Sequence, residues 1–562
     1  MRHTLSIALC FLTLNIYANQ LSDYNVIWRS QSKNSSESMP CGGGDIGLNV
    51  WVENGELLFY MSRSGTFDEN NAFLKLGRVK VKFTPNPFEN STSFAQKLTL
   101  NEGCIKIGGK NSELSTEIKL WVDVFNPVIH LEVKSSKPTK MEACYESWRH
   151  QDRRMSGKSN NANSYKWAPQ GEVYTYKDSV LPKNSSILFF HRNRNNVVSV
   201  FDITVKQQGL DSLKDKMFNP IKNLTFGGII QGENLKYTES YMGKYVDTDF
   251  KGYKLQSSAP TKQHNLNVFL HVAQTETLNE WKKGLQDIIS NAEKSKKTAQ
   301  KNTLAWWKKY WQRSFIYSNE NNPASERWQA IRNYSLFRYQ LACNAYGEYP
   351  TKFNGGLFTY DPYFVDTAQL FTPDHRNWGG GTMTAQNQRL VYFPMFRSGD
   401  FDMVNPQLDF YNRILKNAEL RSHVYWGHNG ACFTEQIENF GLPNPSEYGW
   451  KRPASYDKGM EYNAWLEYQW DTALEFCLMA LDLERYSNQN IAKYVPLITS
   501  CLTFFNEHYQ YLAKLRGRRV FDENKHIVFY PGSACETYKM AYNAVSTTTA
   551  LRVVTSRLLG LP

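Results

Sequence analysis

The chain has 562 residues, of which 41% are hydrophobic, and a formal net charge of +12. This length is too great for a single hydrophobic core, so two or three domains are expected, and no RNP-like, zinc-finger or helix-turn-helix pattern supports nucleic acid as a partner of the positive charge. The aromatic content is rich, with 15 Trp, 33 Tyr and 32 Phe, and suits either a carbohydrate-binding protein or large helical cores.

The chain begins with a pattern typical of a secretory signal peptide, over residues 1–18. Arg2 and His3 supply a positive start, an apolar run follows, and Ala18 is a plausible cleavage end. No later segment has about 20 uninterrupted apolar residues, so no stable membrane insertion is expected. The sequence therefore predicts an exported protein, secreted or periplasmic.

Residues 22–274 are predicted to form an antiparallel β-sandwich. Apolar and polar residues alternate in many short segments, and Asn54-Gly55 is a strong hairpin-turn signal between two of them. Similar patterns predict strands over 77–83, 116–125, 128–134, 197–205 and 266–273. The segment GGGDIG at 42–47 satisfies GxGxxG, but a β-hairpin follows it instead of a helix. We therefore predict a sharp turn there and no dinucleotide site.

From residue 275 the hydrophobic period becomes that of helices. Residues 275–322 are predicted to form a helical linker and residues 323–562 an (α/α)6 barrel domain. Its expected helices span 328–345, 387–396, 406–416, 464–483, 495–512 and 542–559, and long loops lie at 346–383 and 420–460. About seven helices are roughly half of a ring of six helical hairpins. We therefore expect a toroid truncated at Pro562, with a naturally short domain as the alternative.

Carboxylates in the helical region are the candidate catalytic groups. Cleavage of a glycosidic bond needs one acid to protonate the leaving oxygen and a base or nucleophile on the other face. Glu435, Asp457, Glu461 and Glu536 lie in or beside loops, although a structural or exposed role is the common alternative for each. Glu536 stands out because it follows a Pro-Gly-Ser turn beside apolar residues, where partial burial would raise the pKa of a general acid.

An amide cluster precedes one predicted helix. Gln386, Asn387 and Gln388 can hold a water molecule or sugar hydroxyls, and a solvent-facing helix surface is the alternative. Substrate-binding roles are also predicted for side chains of the long loops, namely Trp378, Trp426, His428 and Glu435. The cysteines are dispersed, without CxxC or a Cys/His cluster at zinc spacing, so we predict no metal, no cofactor and no disulfide.

The order of β-sandwich, helical linker and helical toroid resembles the six-hairpin glycosidases. Several segments resemble glycoside hydrolase family 95, which includes 1,2-α-L-fucosidases. These segments are SMPCGGGDIGLNVWVENGELLFYMSRSGTFDE (38–69), YPTKFNGGLF (349–358), QNQRLVYFP (386–394), NAWLEYQWDTALEF (463–476) and PGSACETY (531–538). The similarity extends over nearly the whole chain, although each motif alone is only moderately specific.

The resemblance implies roles for individual residues. Glu536 would be the general acid, and Asn387 the second of two amides that position the attacking water. The first amide of the family falls on Ala385, so the resemblance does not carry fucose specificity to this chain, and Gln386 or Gln388 would have to substitute. The catalytic Asp of the family would lie beyond Pro562.

The sequence thus predicts an exported glycoside hydrolase that acts on an oligosaccharide or polysaccharide by single-step inversion. Two alternatives stay open. The departure at Ala385 and the missing base favour a non-catalytic glycan-binding protein, and the charge of +12 fits a polysaccharide lyase with acidic substrates.

Overall fold

The computed structural model describes residues 21–166, 168–320, 322–368, 370–534 and 538–562. Its first half is antiparallel β-sheet and its second half is helical, which confirms the predicted fold class at that level. The predicted signal peptide (1–18) and the predicted general acid Glu536 lie outside the described residues.

The β-domain consists of antiparallel strands in two layers. The strands in chain order are β1 (Val26–Trp28), β2 (Met39–Gly43), β3 (Ile46–Glu53), β4 (Glu56–Arg63), β5 (Arg78–Thr84), β6 (Ser93–Thr99), β7 (Cys104–Lys110), β8 (Ser115–Val122), β9 (Val128–Ser147), β10 (Arg153–Arg154), β11 (Tyr174–Thr175), β12 (Ser179–Lys183), β13 (Ser186–Arg192), β14 (Leu224–Gly232), β15 (Leu235–Tyr245), β16 (Thr248–Ser257) and β17 (Thr261–Gln274). One layer has the order β1-β6-β7-β8-β9-β17-β14-β13-β12, and the other the order β2-β3-β4-β5-β9-β16-β15.

The long strand β9 belongs to both layers. Its first part pairs with β8 and β17, and its second part with β5 and β16. Because side chains alternate between the two faces of a strand, each layer turns one apolar face inward. The inward side chains form a continuous core that includes Leu48, Val50, Phe59, Leu120, Leu131 and Leu270.

Two turn predictions are confirmed and one strand prediction is wrong. Asn54 and Gly55 both have positive φ and connect β3 to β4, and GGGDIG forms the turn between β2 and β3. Residues 197–205 were expected to be a strand, but Val200–Gln207 is helix α1. Its N-terminus is a capping box, in which Ser199 and Asp202 exchange side-chain to backbone hydrogen bonds. This local capping outweighs the β-propensity of the valines.

The remaining helices begin with α2, which packs along the β-domain. They are α2 (Leu278–Arg313), α3 (Glu326–Ala342), α4 (Ala385–Ser398), α5 (Asn405–Trp426), α6 (Pro445–Tyr448), α7 (Thr472–Ser487), α8 (Val495–Leu515) and α9 (Val545–Leu559). Trp281 near the start of α2 contacts Phe190 of the β-domain, and Trp307 near its end contacts Tyr339 of α3. In the helical part, α7 packs against α4, α8 and α9. Among the described helices, none has the length and apolar character needed to cross a bilayer.

The helix expected over 464–483 begins only at Thr472, so its first two turns were predicted wrongly. The preceding segment pairs instead with the end of α6. The backbone N–H of Tyr462 donates to the Tyr448 carbonyl, and that of Asn463 to the Glu447 carbonyl, each at 3.1 Å. The side chain of Asn463 also accepts the N–H of Trp465 at 2.9 Å, which closes an Asx turn. Tertiary pairing therefore replaces helix over this stretch.

A buried carboxylate joins the β-domain to the helical loops. Glu438 accepts hydrogen bonds from Asn71 at 2.7 Å and from Ser164, both in the β-domain. It also accepts hydrogen bonds from Thr382 at 2.8 Å and from Asn444. One carboxylate thus satisfies four donors from four separate segments. Hydrogen bonds to a charged acceptor are the strong ones, and unpaired buried donors are costly.

Replacing Glu438 by Leu is expected to lower the free energy of unfolding by about 3 kcal/mol or more, because four buried donors lose their acceptor. Urea denaturation of both proteins measures the difference. The exposed Glu113 provides a matched control, since Glu113→Gln should change the free energy by no more than about 0.5 kcal/mol. A Glu438→Leu protein as stable as the control would show that this junction contributes little.

Candidate active site

The N-terminus of α4 contacts Glu435, a residue of a distant loop. The N–H of Ala385 donates to the backbone carbonyl of Glu435 at 2.9 Å, and the N–H of Gln386 donates to its carboxylate Oε1 at 3.1 Å. A two-residue ladder, β18 (Met383–Thr384) with β19 (Gln436–Ile437), fixes the two segments side by side. Glu435 is fully buried. The N–H groups and the dipole at a helix N-terminus favour negative charge, so this position suits a carboxylate.

The structure divides the predicted amide cluster into two parts. Gln388 is buried; its Oε1 accepts the N–H of Phe353 at 3.2 Å, and its Nε2 donates to the Thr351 carbonyl at 3.1 Å. This side chain thereby holds the loop 346–383 against α4. Gln386 and Asn387 are only half-buried and lie at the start of the helix, beside Glu435. That these two amides hold water or a sugar hydroxyl stays a prediction.

Glu461 is a second buried carboxyl group, in a contrasting environment. It is fully buried, and among the described residues neither of its carboxyl oxygens has a hydrogen-bond partner. Burial raises the pKa of the Glu461 carboxyl well above its usual value of 4.5, and the negative charges of Glu447 and Glu435 raise it further. Burial therefore favours the uncharged form of Glu461 more than it would be favoured in an exposed carboxyl group.

A buried ion pair lies next to these carboxyl groups. Lys166 of the β-domain donates to Glu447 Oε1 at 2.9 Å, and both side chains are almost completely buried. The second oxygen of Glu447 accepts a hydrogen bond from Asn463. Arg421 of α5 adds a further buried cation, which donates to the carbonyls of Cys432 at 2.9 Å and Gly459 at 2.7 Å. These cations stabilise the turns that carry Glu435 and Glu461.

The predicted residues Trp426 and His428 lie in an aromatic cluster. Trp426 is buried, and its indole N–H reaches both carboxylate oxygens of Asp457 at 3.1 Å. His428 Nε2 lies 2.9 Å from His508 Nδ1, and burial lowers the pKa of both imidazoles, so both are neutral. The contacts within this cluster account for the burial of the Trp426 and His428 side chains. Their role in substrate binding stays a prediction.

The long loop 346–383 forms an open cleft of about 330 Å³. Its lining combines aromatic and polar side chains, which include Phe358, Tyr360, Phe371, Arg376 and Asn377. Trp378 follows directly, with positive φ and half of its surface exposed. This mixture is typical of sites for polar ligands with apolar faces, such as sugars. Within the described part of the chain, no group of three or more His, Cys, Asp or Glu residues is arranged to hold a metal ion.

Sequence reasoning found Glu461 as a loop carboxylate but missed its importance. It placed residues 464–483 in one helix, which hid the turn that buries Glu461 against α6. The sequence does carry one local signal, because Asn463 favours an Asx turn over helix at this point. The ion pair between Lys166 and Glu447 spans 281 residues and has no signal in the sequence.

Residues 27–316 match the family described as Domain of unknown function (DUF5703). No curated protein matches the chain. The resemblance to glycoside hydrolase family 95 in particular stays a prediction.

Solved structures with a similar arrangement include carbohydrate-active enzymes. A putative kojibiose phosphorylase from the human microbiome has 10% sequence identity and a TM-score of 0.49, over 95% of this chain and 63% of its own. A bacterial glucoamylase complexed with acarbose has 10% identity and a TM-score of 0.39, over 86% and 61%. A family GH92 alpha-mannosidase from Bacteroides thetaiotaomicron has 10% identity and a TM-score of 0.29, over 89% and 63%. The chain thus spans less than two thirds of each of these proteins, and TM-scores this low carry no conclusion about its activity.

Proposed function

The chain belongs to the DUF5703 family, a domain of unknown function, and from the chemistry of its buried carboxyl groups we propose that it is a carbohydrate-active enzyme that hydrolyses glycosidic bonds. One observation carries the proposal. Glu461, whose carboxyl oxygens have no hydrogen-bond partner among the described residues and whose pKa is raised by burial, is close enough to Glu435 at a helix N-terminus for the two groups to interact electrostatically. Two carboxyl groups whose environments favour opposite protonation states are the arrangement that acid and base catalysis of this reaction requires.

The proposed reaction is a single-step inversion. Glu461 donates its proton to the glycosidic oxygen as the bond from that oxygen to the anomeric carbon breaks. A water molecule held by the Asn387 amide attacks the anomeric carbon from the opposite face, and Glu435 accepts the proton that the water loses. The family 95 resemblance implies another proton donor, Glu536, and the experiments below separate the two assignments.

Both carboxyl groups are fully buried, so a glycoside reaches them only if neighbouring residues move. Tyr462 and Trp465 follow Glu461 closely in the chain, and their rings are about half exposed. Aromatic rings of this kind stack on the apolar faces of sugars. The proposal therefore assigns the entrance of the site to the side chains of Tyr462 and Trp465.

The experiment that tests the proposal incubates the purified protein with neutral and acidic oligosaccharides and follows the products by NMR. Release of a sugar whose first-formed anomer is inverted is the expected result. Tight binding by calorimetry with no released sugar would replace the proposal with a glycan-binding function. A rise in the absorbance of unsaturated uronates would replace it with a lyase, for which the charge of +12 is the motive.

Export is part of the proposal, because residues 1–18 have the composition of a signal peptide. N-terminal sequencing of the mature protein from its native host is expected to give a sequence that begins directly after Ala18. A mature protein that retains Arg2 and His3 would contradict export by this route.

A further inference from the structure

Lys166 is an unusual residue for the β-domain to bury. Its side chain is 1% exposed, and its φ of +51° lies in the left-handed region that is costly for residues other than glycine. Lysine is almost never fully buried unless it is paired. Residues held in sparsely populated backbone conformations cluster at functional sites, where the surrounding structure keeps them in place.

The ammonium group of Lys166 contacts the segment that carries Glu435 directly, and it reaches the segment that carries Glu461 through Glu447. It donates to the side-chain oxygen of Gln436, the residue after Glu435. It also donates to Glu447 Oε1 at 2.9 Å. Glu447 in turn binds Asn463, two residues after Glu461, through its second carboxylate oxygen and through its backbone carbonyl at 3.1 Å.

We propose that Lys166 is a positioning residue, which bridges the segments around Glu435 and Glu461 and so lets the β-domain set the spacing of the two carboxyl groups. The inference rests on the proposed function, because it assigns these two groups to catalysis. A displacement of about 1 Å in a reacting group can cost about 10²-fold in rate, so one buried bridge has a large effect.

The helical part has its own anchor for the same two segments, and this anchor makes the inference testable. Arg421 of α5 binds the carbonyls of Cys432 and Gly459, a few residues before Glu435 and Glu461 respectively. Loss of Lys166 therefore leaves the backbone of both segments attached to α5. We expect a Lys166→Met protein to fold. Its structure should differ from that of the unmodified protein locally, at positions that the Arg421 hydrogen bonds do not hold.

The test compares Lys166→Met with Lys166→Arg and with a control, Lys177→Met, at an exposed position of the β-domain. On the oligosaccharide that the NMR assay shows to be hydrolysed, kcat of Lys166→Met is expected to fall about 10²-fold with little change in KM. Lys166→Arg, which keeps the charge and can still donate to both oxygens, should recover part of the loss. Lys177→Met should behave as the unmodified protein.

Amide hydrogen exchange supplies a readout that needs no substrate. The N–H of Gln386 binds the Glu435 segment to α4, and those of Tyr462 and Asn463 bind the Glu461 segment to α6, so all three should exchange faster in Lys166→Met and at the normal rate in Lys177→Met. Normal exchange, or a normal kcat, in Lys166→Met would overturn the inference. Faster exchange in a protein for which no hydrolysis is ever found would uphold the bridge and overturn the proposed function instead.

Discussion

Glu461→Gln is expected to reduce the hydrolysis of unactivated glycosides by about 10²–10⁴-fold, the usual contribution of a general acid. The amide has the size of the carboxyl group but no proton to give to the leaving oxygen. A glycoside whose leaving group needs no protonation, such as an activated aryl glycoside or a glycosyl fluoride, should be cleaved at a nearly unchanged rate. The ratio of the two rates measures the effect.

Glu467→Gln is the matched control, because Glu467 lies on the same segment and the amide can still accept the hydroxyl hydrogen bond from Tyr456. It should retain activity on both kinds of substrate. The same comparison made with Glu536→Gln tests the assignment that the family 95 resemblance implies. If Glu536→Gln shows the leaving-group dependence and Glu461→Gln does not, Glu536 is the proton donor and our assignment to Glu461 is wrong.

Glu461→Gln should also change how the free energy of unfolding depends on pH. The raised pKa of Glu461 means that the folded protein keeps a proton that the unfolded chain loses near pH 4.5. Above that pH the folded state binds more protons, so the free energy of unfolding falls as pH rises, by up to about 1.4 kcal/mol per pH unit, until the folded pKa is passed. Urea titrations of Glu461→Gln should lack this fall. An unchanged pH slope would show that Glu461 is ionised in the folded protein.

Much of the fold is encoded in local patterns that can be read without a structure. The Asn54-Gly55 turn sets a hairpin through its own backbone preferences, and alternation of apolar residues predicts which strand faces turn inward. Prediction of secondary structure from local patterns failed where two signals compete. At residues 197–205 the capping pair Ser199 and Asp202 outweighs the β-branched residues, and at 464–471 turns replace the predicted helix directly after Asn463 pairs with α6.

The candidate site was less predictable because its decisive properties are not local. The position of Asn387 at a helix start follows from the sequence, and so does the presence of Glu435 in a loop. That Glu435 meets this helix start, or that Glu461 is buried without a partner, depends on segments brought together by the fold. The contribution of Lys166 from the β-domain depends on the packing of two domains.

Glu435 provides the second large prediction. Glu435→Gln should lower the hydrolysis of both unactivated and activated glycosides by about 10²–10⁴-fold, because an amide cannot accept the proton of the attacking water in either case. The new side chain can still accept the N–H of Gln386, so the start of α4 should remain capped. Only the favourable charge at the helix N-terminus is lost, at a cost of about 0.3–1 kcal/mol in the free energy of unfolding.

Azide distinguishes the base from the acid, because it is a nucleophile that needs no proton removed. With Glu435→Ala, azide should form the bond to the anomeric carbon while the glycosidic bond breaks, and so restore turnover with a glycosyl azide of inverted configuration as the product. With Glu461→Gln and an unactivated glycoside, azide should restore nothing, since protonation of the leaving oxygen is still missing. A glycosyl azide of retained configuration would instead indicate a covalent intermediate on another residue, which azide then opens, and Glu435 would have to be reassigned to the acid/base residue of a retaining enzyme or to a purely substrate-binding group.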